Sequence, residues 1–323
     1  MFGLARTGAY SIGVDVGSDN LRLAQLAENG KGIKLIAGRS RNRPADIEPG
    51  TSAWQRWAIQ TVKLFTANGD FRGKDVTAAI PPSDLFIDHV RISKTNEKKL
   101  EDVAFSKIKQ KLPFEPEKNN LMIKCIRTED DNVLVMAAER KIIDRHLAMY
   151  EQAGLRIKAI GVWPLALVNC YARFFGRRQS DLEAVVMLVC IEDDSTNVVV
   201  CRHKNPLFAR SISIGAEQLG DDKAVTRLVL ELTGCRGQFS SMYRSAHIER
   251  LIFLTGRSVS RDICATVAMQ LEMPAQTGDC LAAVYIPNPY RLGIDRRSGP
   301  LDEAAQSQKQ QLNWATAFGL SLS

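Results

Sequence analysis

The chain has 323 residues, 45% of them hydrophobic and 24% charged, a composition that suits a soluble protein with a sizeable core and about two domains. Its formal net charge is +7, but the basic residues are scattered, with short clusters only at 39–43 and 291–297, and neither stacked-aromatic nor helix-turn-helix patterns accompany them. Nucleic-acid binding is therefore excluded as the leading reading, while a mildly basic surface remains compatible with an acidic membrane face.

Residues 1–9 lack the apolar core of a signal peptide, and no apolar run reaches bilayer-spanning length. The seven cysteines (125, 170, 190, 201, 235, 264 and 280) are odd in number, have no C-x-x-C spacing and sit largely in apolar runs. They read as reduced structural cysteines, and the four dispersed histidines offer no metal cluster. The expected setting is cytoplasmic.

The stretch 11–26 alternates apolar with small or polar residues on both sides of Gly17-Ser-Asp-Asn20, so it predicts a β-hairpin. Its tip has a second reading. Asp15 ends the first strand, Gly17 permits close backbone approach, and Ser18 adds a hydroxyl. Successive N–H groups in such a turn can cradle phosphate while the carboxylate holds Mg²⁺ through water. An ordinary turn uses the same residue types, and the hairpin alone does not decide between them.

A third strand follows at 32–36, then a polar loop, and Thr51-Ser52 caps a helix with Trp54, Ala58, Val62 and Phe65 on its buried face. Asn68-Gly69 stops it. Strands at 75–80 and 85–92 flank Pro81-Pro82. The pattern then changes, and a subdomain insertion is placed at about 84–155: a charged amphipathic helix over 96–112 ended by Pro113, strands at 121–127 and 133–138, and a helix from 140 closed by Gly154. A strand at 156–162 and a helix opened by Pro164 complete the first half.

The opening pattern then recurs. A strand at 184–191, a turn at 192–195, a strand at 196–201, a turn at 203–205 and a strand at 207–214 lead through Gly215 into a helical stretch to about 233. A buried strand at 251–255, a turn at 256–258, a helix at 262–271, a polar loop at 291–311 and a final helix at 313–320 follow. The expected domains are 1–183, interrupted by the insertion, and 184–323.

Two halves built alike resemble the actin-like ATPase superfamily, an α/β duplicated, ribonuclease H-like fold; the insertion sits where the cell-division protein FtsA and the PilM family of type IV pilus assembly carry one. The motifs that resemble PilM are 12–18 (IGVDVGS), 68–74 (NGDFRGK), 77–83 (TAAIPPS), 112–114 (LPF), 133–138 (VLVMAA), 153–155 (AGL), 163–167 (WPLAL), 214–219 (IGAEQL) and 248–256 (IERLIFLTG). They span nearly the whole chain. The resemblance implies a nucleotide site with Asp15, Gly17, Ser18 and Asn20 on the first phosphate loop and Ser195, Thr196 and Asn197 on the second. Gly215, Glu217, Gly256, Arg257 and Ser258 fall near the nucleoside, with ATP and Mg²⁺ as cofactors and Asp15 as the Mg²⁺ residue.

This chain departs from the pattern at several of those places. Cys190 stands for the second loop's aspartate and Glu192 for its glycine, which puts a side chain where backbone should meet phosphate. Gly215-Ala216 and Gly256-Arg257 replace Gly-Gly pairs, and Asp19, Asp193 and Asp194 add negative charge. Arg257 could meet a phosphate, or neutralise those carboxylates and close the cleft. The resemblance thus implies an adaptor with a degenerate nucleotide site. It would hold the N-terminal cytoplasmic peptide of a PilN-like bitopic membrane protein in a groove between the first core domain and the insertion, beside other pilus platform proteins, at the inner membrane. The alternative is a working Mg-ATPase or ATP-gated switch. A sugar kinase would need a catalytic aspartate that is not visible.

Overall fold

The computed structural model describes residues 8–17, 19–30, 32–93, 99–115, 120–255, 259–287, 292–293 and 313–323. The first meander is β1 (Ala9–Val16), β2 (Asn20–Glu28) and β3 (Ile33–Asn42), antiparallel throughout. β4 (Asp75–Ile80) and β8 (Arg156–Val162) extend it in parallel beyond β1. The second half repeats this with β9 (Val185–Ile191), β10 (Thr196–Arg202), β11 (Asn205–Ile212), β12 (Arg250–Phe253) and β13 (Ala275–Thr277). The sheet orders, β3-β2-β1-β4-β8 and β11-β10-β9-β12-β13, are the same, and the short β14 (Leu292–Gly293) adds to the free edge of β3. The expected duplication is present.

Helix α1 (Ser52–Ala67) starts where Thr51 Oγ1 accepts the Trp54 N–H, and it buries Trp54, Trp57, Ala58, Val62 and Phe65 on the first sheet. Between β4 and β8 lies a lobe made of β5 (Phe86–Arg91), α2 (Leu100–Ile108), β6 (Leu121–Arg127) and β7 (Asn132–Glu139), a three-stranded sheet in the order β5-β7-β6. It has its own core of Val90, Ile92, Leu100, Ala104, Ile108, Leu121, Val133 and Val135. Helix α3 (Arg140–Gln152), counted with the insertion in the sequence, packs instead on the first sheet, because Met149 and Tyr150 join Trp54 and Trp57 in that core.

Helix α4 (Trp163–Phe174) connects the halves, and the short α5 (Gln179–Glu183) precedes β9. Helices α6 (Asp222–Met242) and α7 (Arg261–Gln270) cover the outer face of the second sheet. α6 runs well past the expected end near 233, since Cys235 and Phe239 continue its buried stripe across Gly234 and Gly237. The last helix, α8 (Ala315–Ser321), was expected in the second half. It packs instead on β1 and β2 and against α4, so α4 and α8 fill the space between the sheets. Gly319 makes that crossing possible: a Cβ there would lie 1.8 Å from the Ala166 carbonyl oxygen. Ser321 Oγ pins the helix, accepting from Leu26 N–H at 3.1 Å and donating to the Ser11 carbonyl at 2.8 Å beside a register shift in β1–β2.

Candidate functional site

The two repeated hairpins, β1–β2 and β9–β10, point their tips at one cleft of about 300 Å³ between the halves. Of the residues singled out in the sequence, Asp15, Gly17, Asn20, Ser195 and Asn197 line it together. Thr196 lies behind the wall, fully buried, with its hydroxyl donating to the Ile214 carbonyl at 2.6 Å. Gly215 and Glu217 are outside the lining. Gly215 packs against the second tip so closely that a Cβ would meet Asp193 O at 2.3 Å, and the Glu217 N–H donates to that same oxygen at 3.1 Å while its side chain is exposed. Ser18, Gly256, Arg257 and Ser258 lie outside the described residues.

A residue that the sequence reading did not single out organises the cleft. Arg22 is opposite Asp15 in the β1–β2 register and only 2% exposed. Its Nη1 donates to Glu192 Oε2 at 2.7 Å and approaches Asp15 Oδ2 at 3.5 Å, and its Nη2 lies 3.8 Å from Asp193 Oδ2. Asn20 Nδ2 adds a 2.7 Å bond to Asp193 Oδ2, so the two tips are tied together by side chains from opposite halves. Among the described residues of the wall, carboxylates outnumber arginine: Asp15, Asp19, Glu192, Asp193 and Asp194 line it with Arg22. Asp19 has its own partner outside, Arg43, at 3.0 Å.

The electrostatics follow from burial. Asp15 is pushed up to about 6, first by desolvation and then by Glu192, against the pull of Arg22. Cys190 is fully buried and its thiol is raised well above the usual range, again by desolvation. It stays a neutral thiol, 3.4 Å from Glu192 Oε1 and 3.1 Å from Asn313 Nδ2. Asn313 also donates to the Leu254 carbonyl at 2.7 Å. Among the described residues, no group of three or more His, Cys, Asp and Glu is arranged to hold a metal ion.

A second concavity, of about 480 Å³, opens between the inserted lobe and the second half. Residues 82–89 and 208–211 line its facing walls, together with Pro113, Phe114, Glu139 and Ile142. β5 and β11 are edge strands of their sheets among the described residues, and they face each other here. They touch at one point, where His89 stacks on Phe208 (centroids 4.5 Å apart, planes at 8°) and its Nε2 accepts the Ala209 N–H at 3.2 Å. Burial lowers His89 to about 4, so the ring is neutral at physiological pH and keeps its acceptor. Pro113 and Phe114 therefore lie on a groove wall. Leu112 does not line it, and both Leu112 and Phe114 are partly buried against the lobe's core.

Comparison with known proteins gives this geometry its context. The solved PilM-PilN type IV pilus biogenesis complex contains a chain with a TM-score of 0.74 at 19% identity, covering 97% of this chain and 98% of that one. The ethanolamine utilization protein EutJ from Carboxydothermus hydrogenoformans gives 0.52 at 12% identity, covering 97% and 89%. At such identities these likenesses establish the actin-like fold. No curated protein sequence matches significantly. The family model for type IV pilus assembly protein PilM, however, matches residues 13–228, more than half of the chain, and the chain therefore belongs to the PilM family of type IV pilus assembly proteins.

Proposed function

We propose that this PilM-family protein is an adaptor of the pilus inner-membrane platform. It holds an extended cytoplasmic segment of a PilN-type membrane protein in the groove between the inserted lobe and the second half. The observation that carries the reading is the pair of facing edge strands, β5 and β11, over an aromatic floor. Edge strands present unpaired N–H and C=O groups to an added strand, and pockets between them select its side chains. The solved relative's name couples PilM with PilN, which suggests the partner. Among the described residues no helix is long and apolar enough to cross a membrane.

The same reading makes the nucleotide cleft degenerate. A Mg²⁺-triphosphate needs backbone donors and cations around its oxygens. The donor set here does not fit it. Glu192 and Asp193 occupy the second loop's tip, Arg22 is already bonded to Glu192, and Cys190 brings a neutral thiol in place of a carboxylate. Among the described residues a polyanion would face five carboxylates with one committed guanidinium between them. The ion-paired tips take the place of ATP in joining the halves.

The test is a calorimetric titration with an N-terminal cytoplasmic peptide of the PilN-type protein from the same organism. Binding in the micromolar range or tighter, with a rise in melting temperature by mass action, is expected. Phe114→Asp, which puts a charge on the groove wall, should abolish it. Saturating peptide with neither heat nor thermal shift would sink the adaptor reading.

A further inference from the structure

The groove carries a charge pattern that its apolar floor does not require. Three carboxylates line it, Asp84, Asp88 and Glu139, with one arginine, Arg210. Arg210 is committed elsewhere, its Nη2 3.0 Å from Glu231. Two of the three acids have their own lysine: Lys111 Nζ lies 2.8 Å from Asp88, and Lys141 Nζ 2.6 Å from Glu139. His89, neutral at physiological pH, supplies no charge. The Asp84 carboxylate has no hydrogen-bond or ion-pair partner among the described residues. The nearby Arg145 is held by the Gly50 carbonyl at 3.0 Å. Asp84 is nevertheless partly buried, in the 3-10 turn Pro82–Asp84 at the entrance to β5. Desolvation raises it above the ordinary carboxylate range, against the pull of Arg145 and with a smaller push from Glu139. A half-buried carboxylate with no directly bonded partner is costly to a folded protein, and a cation brought by a ligand would relieve that cost.

We propose that Asp84 is the specificity residue of the groove: it takes a lysine or arginine side chain of the bound segment, whose apolar neighbours pack along Phe86, Phe114 and Phe208. Charge complementarity fixes the occupant, since one acid of the groove has no directly bonded partner among the described residues and a segment with one basic side chain at that point completes the pairing. This rests on the reading of the groove as a peptide site. A charge-assisted hydrogen bond in such a setting changes affinity about ten- to thirtyfold.

The experiment is a double-mutant cycle by calorimetry. Wild-type protein and Asp84→Asn are each titrated with the PilN-type N-terminal peptide and with copies in which each Lys or Arg in turn is norleucine. Asp84→Asn should weaken the native peptide about ten- to thirtyfold, and one norleucine peptide should lose as much against wild type. That peptide should bind Asp84→Asn no worse than the native one does. Asp88→Asn should change affinity less than threefold. The peptide substitutions leave the protein untouched, so their effect is read independently of folding. Tight native binding that Asp84→Asn leaves unchanged, or losses from the two partners that simply add, would overturn the role of Asp84 and leave the peptide site standing. Wild-type protein that binds none of the peptides would overturn both.

Discussion

Arg22 shows how one side chain sets the chemistry of the cleft. A guanidinium 2% exposed loses most of its hydration, and three carboxylates from both halves compensate it. Removing one partner of such a cluster leaves the others buried and unmatched, at a cost of about 3–5 kcal/mol. Arg22→Gln should therefore lower stability by that order at pH 7.5, measured by urea unfolding. Asp15 gives the pH dependence. Its folded value is raised to about 6, so its contribution is fully present below the unfolded value of 3.8 and lost as pH rises through 6. Arg22 is the group that pulls Asp15 down, so the penalty of Arg22→Gln should be largest above pH 6 and smaller at pH 5. An equal loss at both pH values would show that packing, not charge, is what Arg22 supplies. The sequence made the hairpins and their acids legible but left Arg22 hidden. Between Leu21 and Leu23 an arginine reads as the solvent side of an alternating strand. Only the register with Asp15 and the approach of the second tip turn that side into a cleft wall. Arg257, considered for neutralising the cleft acids, lies outside the described residues.

At the scale of elements, the strands and helices of both halves follow from alternation, caps and helical stripes. What local sequence could not show is which sheet a helix joins. α3 follows the insertion directly but is drawn to the first sheet by Met149 and Tyr150. α8 is fixed there by Gly319 and Ser321, residues that in isolation look like poor helix formers. α3 also carries a buried histidine. His146 is 2% exposed beside Trp54 (centroids 6.2 Å apart) and Tyr150, and its Nδ1 has no partner among the described residues. Burial, helped by Arg145, lowers it to about 4. A depressed folded value means that its contribution is present above the unfolded value of 6.5 and lost as pH falls through 4; His89 behaves alike, and Asp15 opposes them between about 4 and 6. His146→Phe keeps the ring and removes the titration. It should change stability by less than about 1 kcal/mol at pH 7 and exceed wild type by about 2 kcal/mol at pH 4.5. Unfolding curves that keep the wild-type acid slope would contradict the assignment.

The whole molecule is braced at two places, and both bear on function. Across the cleft, Asn20 and Arg22 bond the acids of the opposite tip. Across the lobe, Arg202 pairs with Glu129, Thr128 Oγ1 and the Tyr243 hydroxyl are 2.6 Å apart, and Asn132 Nδ2 donates to the Met242 carbonyl at 3.1 Å. His89 stacked on Phe208 completes that contact beside the groove. The lobe is thus fixed to the second half by the chain's own side chains. The duplicated fold and the lobe were legible as repeated patterns. The bracing was not, because it pairs residues such as Glu129 and Arg202 that lie in turns and strand ends, where charge ordinarily signifies solvent. A preformed groove binds without the free-energy cost of closing it, so affinity should not depend on a ligand in the cleft. The most direct measurement is the dissociation constant of the PilN-type peptide for wild-type protein with and without saturating Mg-ATP. The account predicts the same micromolar or tighter value in both conditions and no heat from Mg-ATP alone. Peptide binding that appears only with Mg-ATP, or that Mg-ATP shifts tenfold or more, would contradict it and make the cleft a working switch.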